Sequence, residues 1–180
     1  IPRRRQRELG APVTRLVLDR LDSPAGPIVV IASDTGLVVV DFDEPEDRPL
    51  RMLERRFGST RPVPATDPLG ATSALRAYLA GQLDAVDGLP VDAGGTPFQR
   101  QCWDALRTIP AGTTWSYRGL AAAIGRPSAV RAVGHANGTN PVSIVVPCHR
   151  VIGRNGTLTG YAGGVQRKEW LLRHEGYLLL

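Results

Sequence analysis

The 180-residue chain has little cysteine: only Cys102 and Cys148 occur, and neither lies in a CxxC or CxxxxH pattern. A disulfide framework and a structural zinc are therefore not expected, nor is any other metal or cofactor. Histidine is scarce as well, with three residues. No run of about 18 apolar residues occurs, so no membrane span is expected. The first residues lack a signal-peptide pattern. These absences point to a soluble, cytoplasmic chain, long enough for one or two domains with a real core.

What is present is unevenly spread. Residues 1–90 hold 12 Lys+Arg against 13 Asp+Glu, a net of −1, whereas residues 91–180 hold 10 against 4, a net of +6. The second half also carries every Trp, His and Cys. A basic unit suits a polyanionic partner, because contacts to phosphates release counterions. The same surplus also serves solubility, and charge alone leaves the two readings level.

The first half reads as scaffold. Residues 14–22, 27–32 and 37–42 are β-branched runs separated by Ser23-Pro24-Ala25-Gly26 and Ser33-Asp34-Thr35-Gly36, the pattern of an antiparallel meander. An acidic loop, 43–47, precedes Leu50, Leu53 and Phe57 at helical spacing. A second helix is predicted over 68–80, with Leu69, Leu75, Tyr78 and Leu79 on its apolar side. Arg3-Arg4-Arg5 reads as a solvated tail in preference to a DNA contact. Pro90 and Gly94-Gly95 mark a boundary between units 1–91 and 92–180.

In the second half, Thr96-Pro97 starts a helix whose stripe is Phe98, Cys102, Leu106 and Ile109, so Cys102 reads as a small buried hydrophobe. Ser116 caps a short helix over 117–124, and Ser128 a second over 129–136 that Asn137-Gly138 closes. Two short helices about a tight turn resemble a helix-turn-helix. On the second, Ala129, Val130 and Val133 face inward, while Ser128, Arg131 and His135 share the outer face. Ala132 and Ala136 beside them would let the backbone approach a partner closely. A surface helix with one exposed Arg explains the same spacing.

The most specific stretch is Pro147-Cys148-His149-Arg150-Val151, placed after Ile144-Val145-Val146 as at the end of a buried strand. A lone cysteine is usually inert, but His149 and Arg150 beside Cys148 favour its thiolate, the nucleophilic form. On extended backbone His149 points away from Cys148, so a relay through water is favoured over direct proton abstraction. Glu175 is the candidate to orient the imidazole.

The motifs Gly95-Thr96-Pro97-Phe98-Gln99, Arg131-Ala132-Val133-Gly134, Asn140-Pro141, Pro147 to Gly153, Gly160-Tyr161-Ala162-Gly163-Gly164 and Lys168-Glu169-Trp170-Leu171-Leu172 follow one another across residues 92–177. In this order they resemble the O6-alkylguanine-DNA alkyltransferases, most nearly the constitutive bacterial form. The resemblance implies an α/β (α+β) fold: a small ribonuclease-H-like antiparallel sheet with helices, then a mostly helical unit with the helix-turn-helix. It implies irreversible, single-turnover transfer of an alkyl group from O6-alkylguanine, and as a further substrate O4-alkylthymine, in double-stranded DNA to Cys148. The base must be flipped to reach the thiol.

By the same resemblance Cys148, His149, Glu175, Tyr117 and Asn140 are catalytic. Arg131, Tyr117, Ser128, Ala132, Gly134 and His135 meet DNA from the minor groove. Tyr161, Ala162, Gly163 and Val151 form the pocket, with Tyr117 and the Ala162 N–H as donors to the leaving guanine. A monomer in solution is expected, with cooperative assembly on DNA left open. Two other readings stay open: a lesion-binding relative without transfer, and a Cys-His hydrolase or acyltransferase that turns over.

Overall fold

The computed structural model describes residues 15–43 and 47–177. The Arg3-Arg4-Arg5 tail, Thr14 at the start of the first expected strand, and residues 44–46 of the acidic loop lie outside the described residues.

Strands β1 (Val17–Leu21), β2 (Ile28–Ala32) and β3 (Leu37–Phe42) form the expected meander, paired antiparallel through the two turns. A fourth strand, β4 (Val63–Pro64), was not legible in the sequence. It pairs parallel with β1, so the sheet is mixed, in the order β3-β2-β1-β4. Every residue of β2 and β3 is buried, as continuous apolar runs require when both sheet faces are covered. Alternation divides them. Val29, Ile31, Val38 and Val39 meet Leu53 of helix α1 (Arg48–Phe57) on one face. Ile28, Val30, Leu37, Val40 and Phe42 join a larger cluster on the other.

That larger cluster does not stop at the middle of the chain. It takes in Leu75 and Tyr78 of α2 (Ala71–Leu79), Cys102, Trp103 and Leu106 of α3 (Pro97–Leu106), and Leu171 of α6 (Val165–His174). Two expected apolar positions fail. Leu50 is 38% exposed, and Leu69 is 43% exposed because Pro68–Gly70 is a separate 3₁₀ turn with Leu69 at φ 56°, ahead of α2. A left-handed residue cannot continue a right-handed helix.

Helix α3 starts as expected, and its start is stronger than Pro97 alone suggests. Gln99 N donates to Thr96 Oγ1 and Thr96 N donates to Gln99 Oε1, a capping box worth about 1 kcal/mol. Cys102 is fully buried in the core, as expected. Helix α4 (Tyr117–Ala123) is capped by Ser116, whose Oγ accepts from Gly119 N at 3.0 Å. Helix α5 (Val130–Gly138) is not capped by Ser128. Its N-cap is Ala129, with no side-chain bond, and the helix runs on through Asn137 and Gly138. Ala136 is buried rather than open to a partner, and its carbonyl accepts from Trp103 Nε1 at 2.8 Å.

The run Ile144-Val145-Val146 is buried but is not a strand. Only Val142 pairs, with Val40 of β3, and residues 143–146 turn. Asn140 explains the turn. Its Oδ1 accepts from Val142 N at 3.0 Å and its Nδ2 donates to Val146 O at 2.8 Å, so the polar backbone is satisfied without a neighbouring strand. Ile144 is held at φ 72°, a strained conformation for a β-branched residue. Beyond the turn, β6 (Val151–Ile152) pairs parallel with β5 (Trp115–Ser116) and ties this segment to the start of α4.

Candidate active site

Cys148 opens a 3₁₀ turn, Cys148–Arg150, rather than ending a strand. All three residues of the turn are buried. The backbone carbonyl of Cys148 accepts from Asn137 Nδ2 at 3.3 Å, which fixes the turn to α5. Burial pushes the thiol pKa up, and a hydrogen bond from the Asn140 side chain pulls against it. The expected help from Arg150 is not there, because its guanidinium is directed elsewhere. Burial thus favours the protonated thiol over the thiolate.

Arg150 is committed to Glu175. Its Nε donates to Oε2 at 2.9 Å, its Nη2 to Oε1 at 2.8 Å, and its Nη1 to the Ile109 carbonyl at 2.5 Å. Oε1 also receives His149 Nε2 at 2.8 Å and the Tyr78 hydroxyl at 2.7 Å. Glu175 follows the C-terminus of α6, the end of a helix dipole that disfavours an anion. Burial would raise its pKa, but His149 and Arg150 outweigh it and hold the carboxyl well below the usual range.

Those bonds set the state of His149. An ionised carboxylate only accepts, so His149 Nε2 carries the hydrogen and Nδ1 keeps its lone pair. Nδ1 is buried and has no partner among the described residues. Burial pulls the imidazole pKa below its ordinary value despite the pull of Glu175. A neutral imidazole with an oriented, free lone pair is equipped to accept a proton. His149 makes no direct hydrogen bond to Cys148 among the described residues.

A cavity of about 460 Å³ is lined by Tyr117, Gly134, Asn137, Thr159, Tyr161 and Ala162, among others; Cys148 and His149 are not in its lining, and Asn137, bonded to the Cys148 carbonyl, joins it to the turn. Its size suits a small organic ligand. The Tyr117 hydroxyl donates to Thr159 O at 3.3 Å, and Cys148 acts electrostatically on Tyr117 and Tyr161. Two expected pocket residues stand behind the wall. Val151 is fully buried in β6, and Gly163 lies behind the Tyr161 ring. A Cβ on Gly163 would come within 2.8 Å of Tyr161 Cε1, so any other residue there would displace the Tyr161 ring.

The outer face of α5 carries Arg131, Ala132 and His135 as exposed residues, with Gly134 half-buried beneath Tyr117, while Ser128, also exposed, lies in the turn ahead of the helix and not on it. Arg131 has no hydrogen bond or ion pair among the described residues. Among the described residues no cluster of ligands could hold a metal ion, and no helix is long and apolar enough to cross a membrane.

Sequence reasoning passed over Lys168. Its ammonium is buried and donates to Val151 O at 2.5 Å and Thr159 O at 3.1 Å. Burial lowers its pKa to about 8. The signal was present, since Lys168 is the only lysine among 22 basic residues. Tyr78 was read as core, and its bond to Glu175 could not be foreseen across 97 residues.

Two family models match the chain. The ribonuclease-like domain of 6-O-methylguanine DNA methyltransferase matches residues 16–93, and the DNA binding domain of the same family matches 97–177. The methylated-DNA–protein-cysteine methyltransferase of Shigella flexneri is 56% identical over 170 residues, covering 92% of this chain and 99% of the relative. That of Mycobacterium tuberculosis H37Rv is 47% identical over 158 residues, covering 86% and 89%. Among solved structures, the M. tuberculosis O6-methylguanine methyltransferase superposes with a TM-score of 0.75 at 41% identity, covering 89% of this chain and 92% of that one. The M. tuberculosis protein in complex with DNA gives 0.73 at 43%, covering 87% and 90%.

Proposed function

The chain belongs to the 6-O-methylguanine DNA methyltransferase family, and from that premise we propose that it repairs DNA by moving the alkyl group of O6-alkylguanine onto its own Cys148. The observation that carries the assignment of Cys148 is the Glu175–His149 pair, which leaves Nδ1 of the next residue in the chain, His149, buried with a free lone pair. The proton of Cys148 passes through water to Nδ1. Its sulfur bonds the alkyl carbon, the carbon–O6 bond breaks, and the electron pair departs with the guanine. Tyr117 and the Ala162 N–H stabilise the departing base. No base returns the thioether to a thiol, so each molecule reacts once.

The DNA partner meets the exposed face of α5 in the minor groove. Arg131, unbonded and exposed, fills the stack when the lesion leaves it, while Ser128, Ala132, Gly134 and His135 line the approach. Asn140 acts by holding the Cys148 turn. We place the boundary of two units at 91/92, although one core runs through both. A monomer acting on chromosomal DNA in the cytoplasm is the assembly and location proposed.

The test is a mass measurement. Incubated with duplex DNA carrying O6-methylguanine, the protein is expected to gain one methyl on Cys148 and to stop at one equivalent. Cys148→Ala is expected to bind the DNA and transfer nothing. Multiple turnovers, or a methyl on another residue, would defeat the reading and favour a hydrolase-like enzyme.

A further inference from the structure

Strand β3 ends against the turn that presents Cys148. Val40 N donates to Pro141 O at 3.0 Å and Ser143 N donates to Val40 O at 2.6 Å. The next residue, Asp41, is 1% exposed. Its Oδ1 accepts from Ser143 Oγ at 3.2 Å, and its Oδ2 meets Arg48 Nη1 of α1 at 3.1 Å. Ser143 immediately precedes the strained Ile144. Phe42, one residue further, backs the pocket wall: a Cβ on Gly163 would lie 3.2 Å from Phe42 Cδ2 and 2.8 Å from the Tyr161 ring. The guanidinium of Arg167 stacks on the other part of this support, 4.6 Å from the centre of the Phe42 ring.

A buried carboxylate is costly unless paired, and an apolar side chain would seal the same interface more cheaply. The location of Asp41, bonded to the turn five residues before the nucleophile, gives it a use beyond sealing. We infer that Asp41, paired with Arg48, is a positioning residue for alkyl transfer, so that the first half contributes to the reactive site and is not only its support. This rests on the transfer reading above. Asp41 acts through Ser143 on the Cys148 turn and through its charge on the thiol. The charges that act on the Cys148 thiol are those of Asp41 of β3, Arg48 of α1 and Lys168 of α6, and Cys148 acts in turn on the hydroxyls of Tyr117 of α4 and Tyr161 of the glycine segment. The Asp41 charge opposes the thiolate, and Arg48 and Lys168 favour it.

Single-turnover transfer rates measured against pH separate positioning from sealing. Asp41→Ala loses the Ser143 bond, and its plateau rate is expected to fall about tenfold or more, since small displacements of a reacting group can cost about a hundredfold. Affinity for unmodified duplex is expected to stay as in the wild type. Asp41→Asn keeps an oxygen for Ser143 but loses the charge, so it is expected to recover most of the plateau rate while its rising limb moves to lower pH. A folded Asp41→Ala protein with the wild-type rate overturns the inference, as does an Asp41→Asn profile that superimposes on the wild type or a loss confined to DNA affinity. If the alanine variant does not fold, the Asp41→Asn profile decides alone. Failure of the wild-type protein to methylate Cys148 would instead defeat the transfer reading itself.

Discussion

Two parts of the second half treat their polar groups in opposite ways. Around Glu175 every carboxylate oxygen is bonded, to Arg150, His149 and Tyr78, with all four residues buried. On the outer face of α5, Arg131 is exposed and unbonded among the described residues. The interior cluster is over-determined, because a buried charge tolerates no missing partner. The helix face is left free, because a long side chain already engaged within the protein would have to break that engagement to enter DNA. On the function proposed above, the groups that serve the reaction are held in place and the side chain that meets DNA is left free.

Breaking the interior side of the contrast should cost most. Glu175→Gln leaves Arg150 buried without its counter-charge, and a loss of about 3–5 kcal/mol of stability is expected by urea unfolding. Its transfer rate should fall as well, because a neutral amide accepts from His149 Nε2 more weakly than the carboxylate and can turn its own N–H toward the ring, so the tautomer is less firmly fixed. A stable Glu175→Gln protein with wild-type rate would erase the distinction. Arg131→Ala is the reverse case. Its transfer rate on duplex DNA is expected to drop about 10-fold or more, as for a central contact residue, with unfolding changed by no more than about 0.5 kcal/mol.

Acid sharpens the same contrast. Because burial lowers the His149 pKa, the imidazole stays neutral in the folded chain at a pH where a free histidine, near 6.5, has begun to charge. The transfer rate should therefore hold at about pH 6.5 and fall only at lower pH. In that lower window the unfolded chain binds more protons than the folded one, so stability should decrease as pH falls below about 6.5. A rate that halves at the ordinary histidine value would contradict a neutral, buried base. The smallest effect is expected at the other cysteine. Cys102→Val replaces one small buried hydrophobe by another, and should change stability by less than about 1.5 kcal/mol with transfer intact.

Much of this arrangement was legible before any coordinates. The meander, the Ser116 cap, the inward Cys102 and the outer face of α5 follow from period and from turn residues, which act over a few positions. The errors arise where a particular contact or a one-residue shift overrides local composition, at short range as well as long. Ile144-Val145-Val146 has the composition of a strand, but Asn140 captures its backbone and turns it. Ser128 has the chemistry of a cap, yet Ala129 holds that place. Arg150 stands next to Cys148 in sequence and serves Glu175 in space.

The sequence alone determined the local elements and, through its ordered motifs, the family, and it singled out Cys148 as the nucleophile proposed above. Those depend on residue type and near spacing, which the linear chain records. The tertiary structure decided which atoms meet: Tyr78 and Arg150 on Glu175, the free Nδ1 of His149, the buried Lys168, and Asp41 of β3 under the turn of Cys148. Such contacts join residues up to about a hundred positions apart, and only packing of a shared core brings them within hydrogen-bond distance.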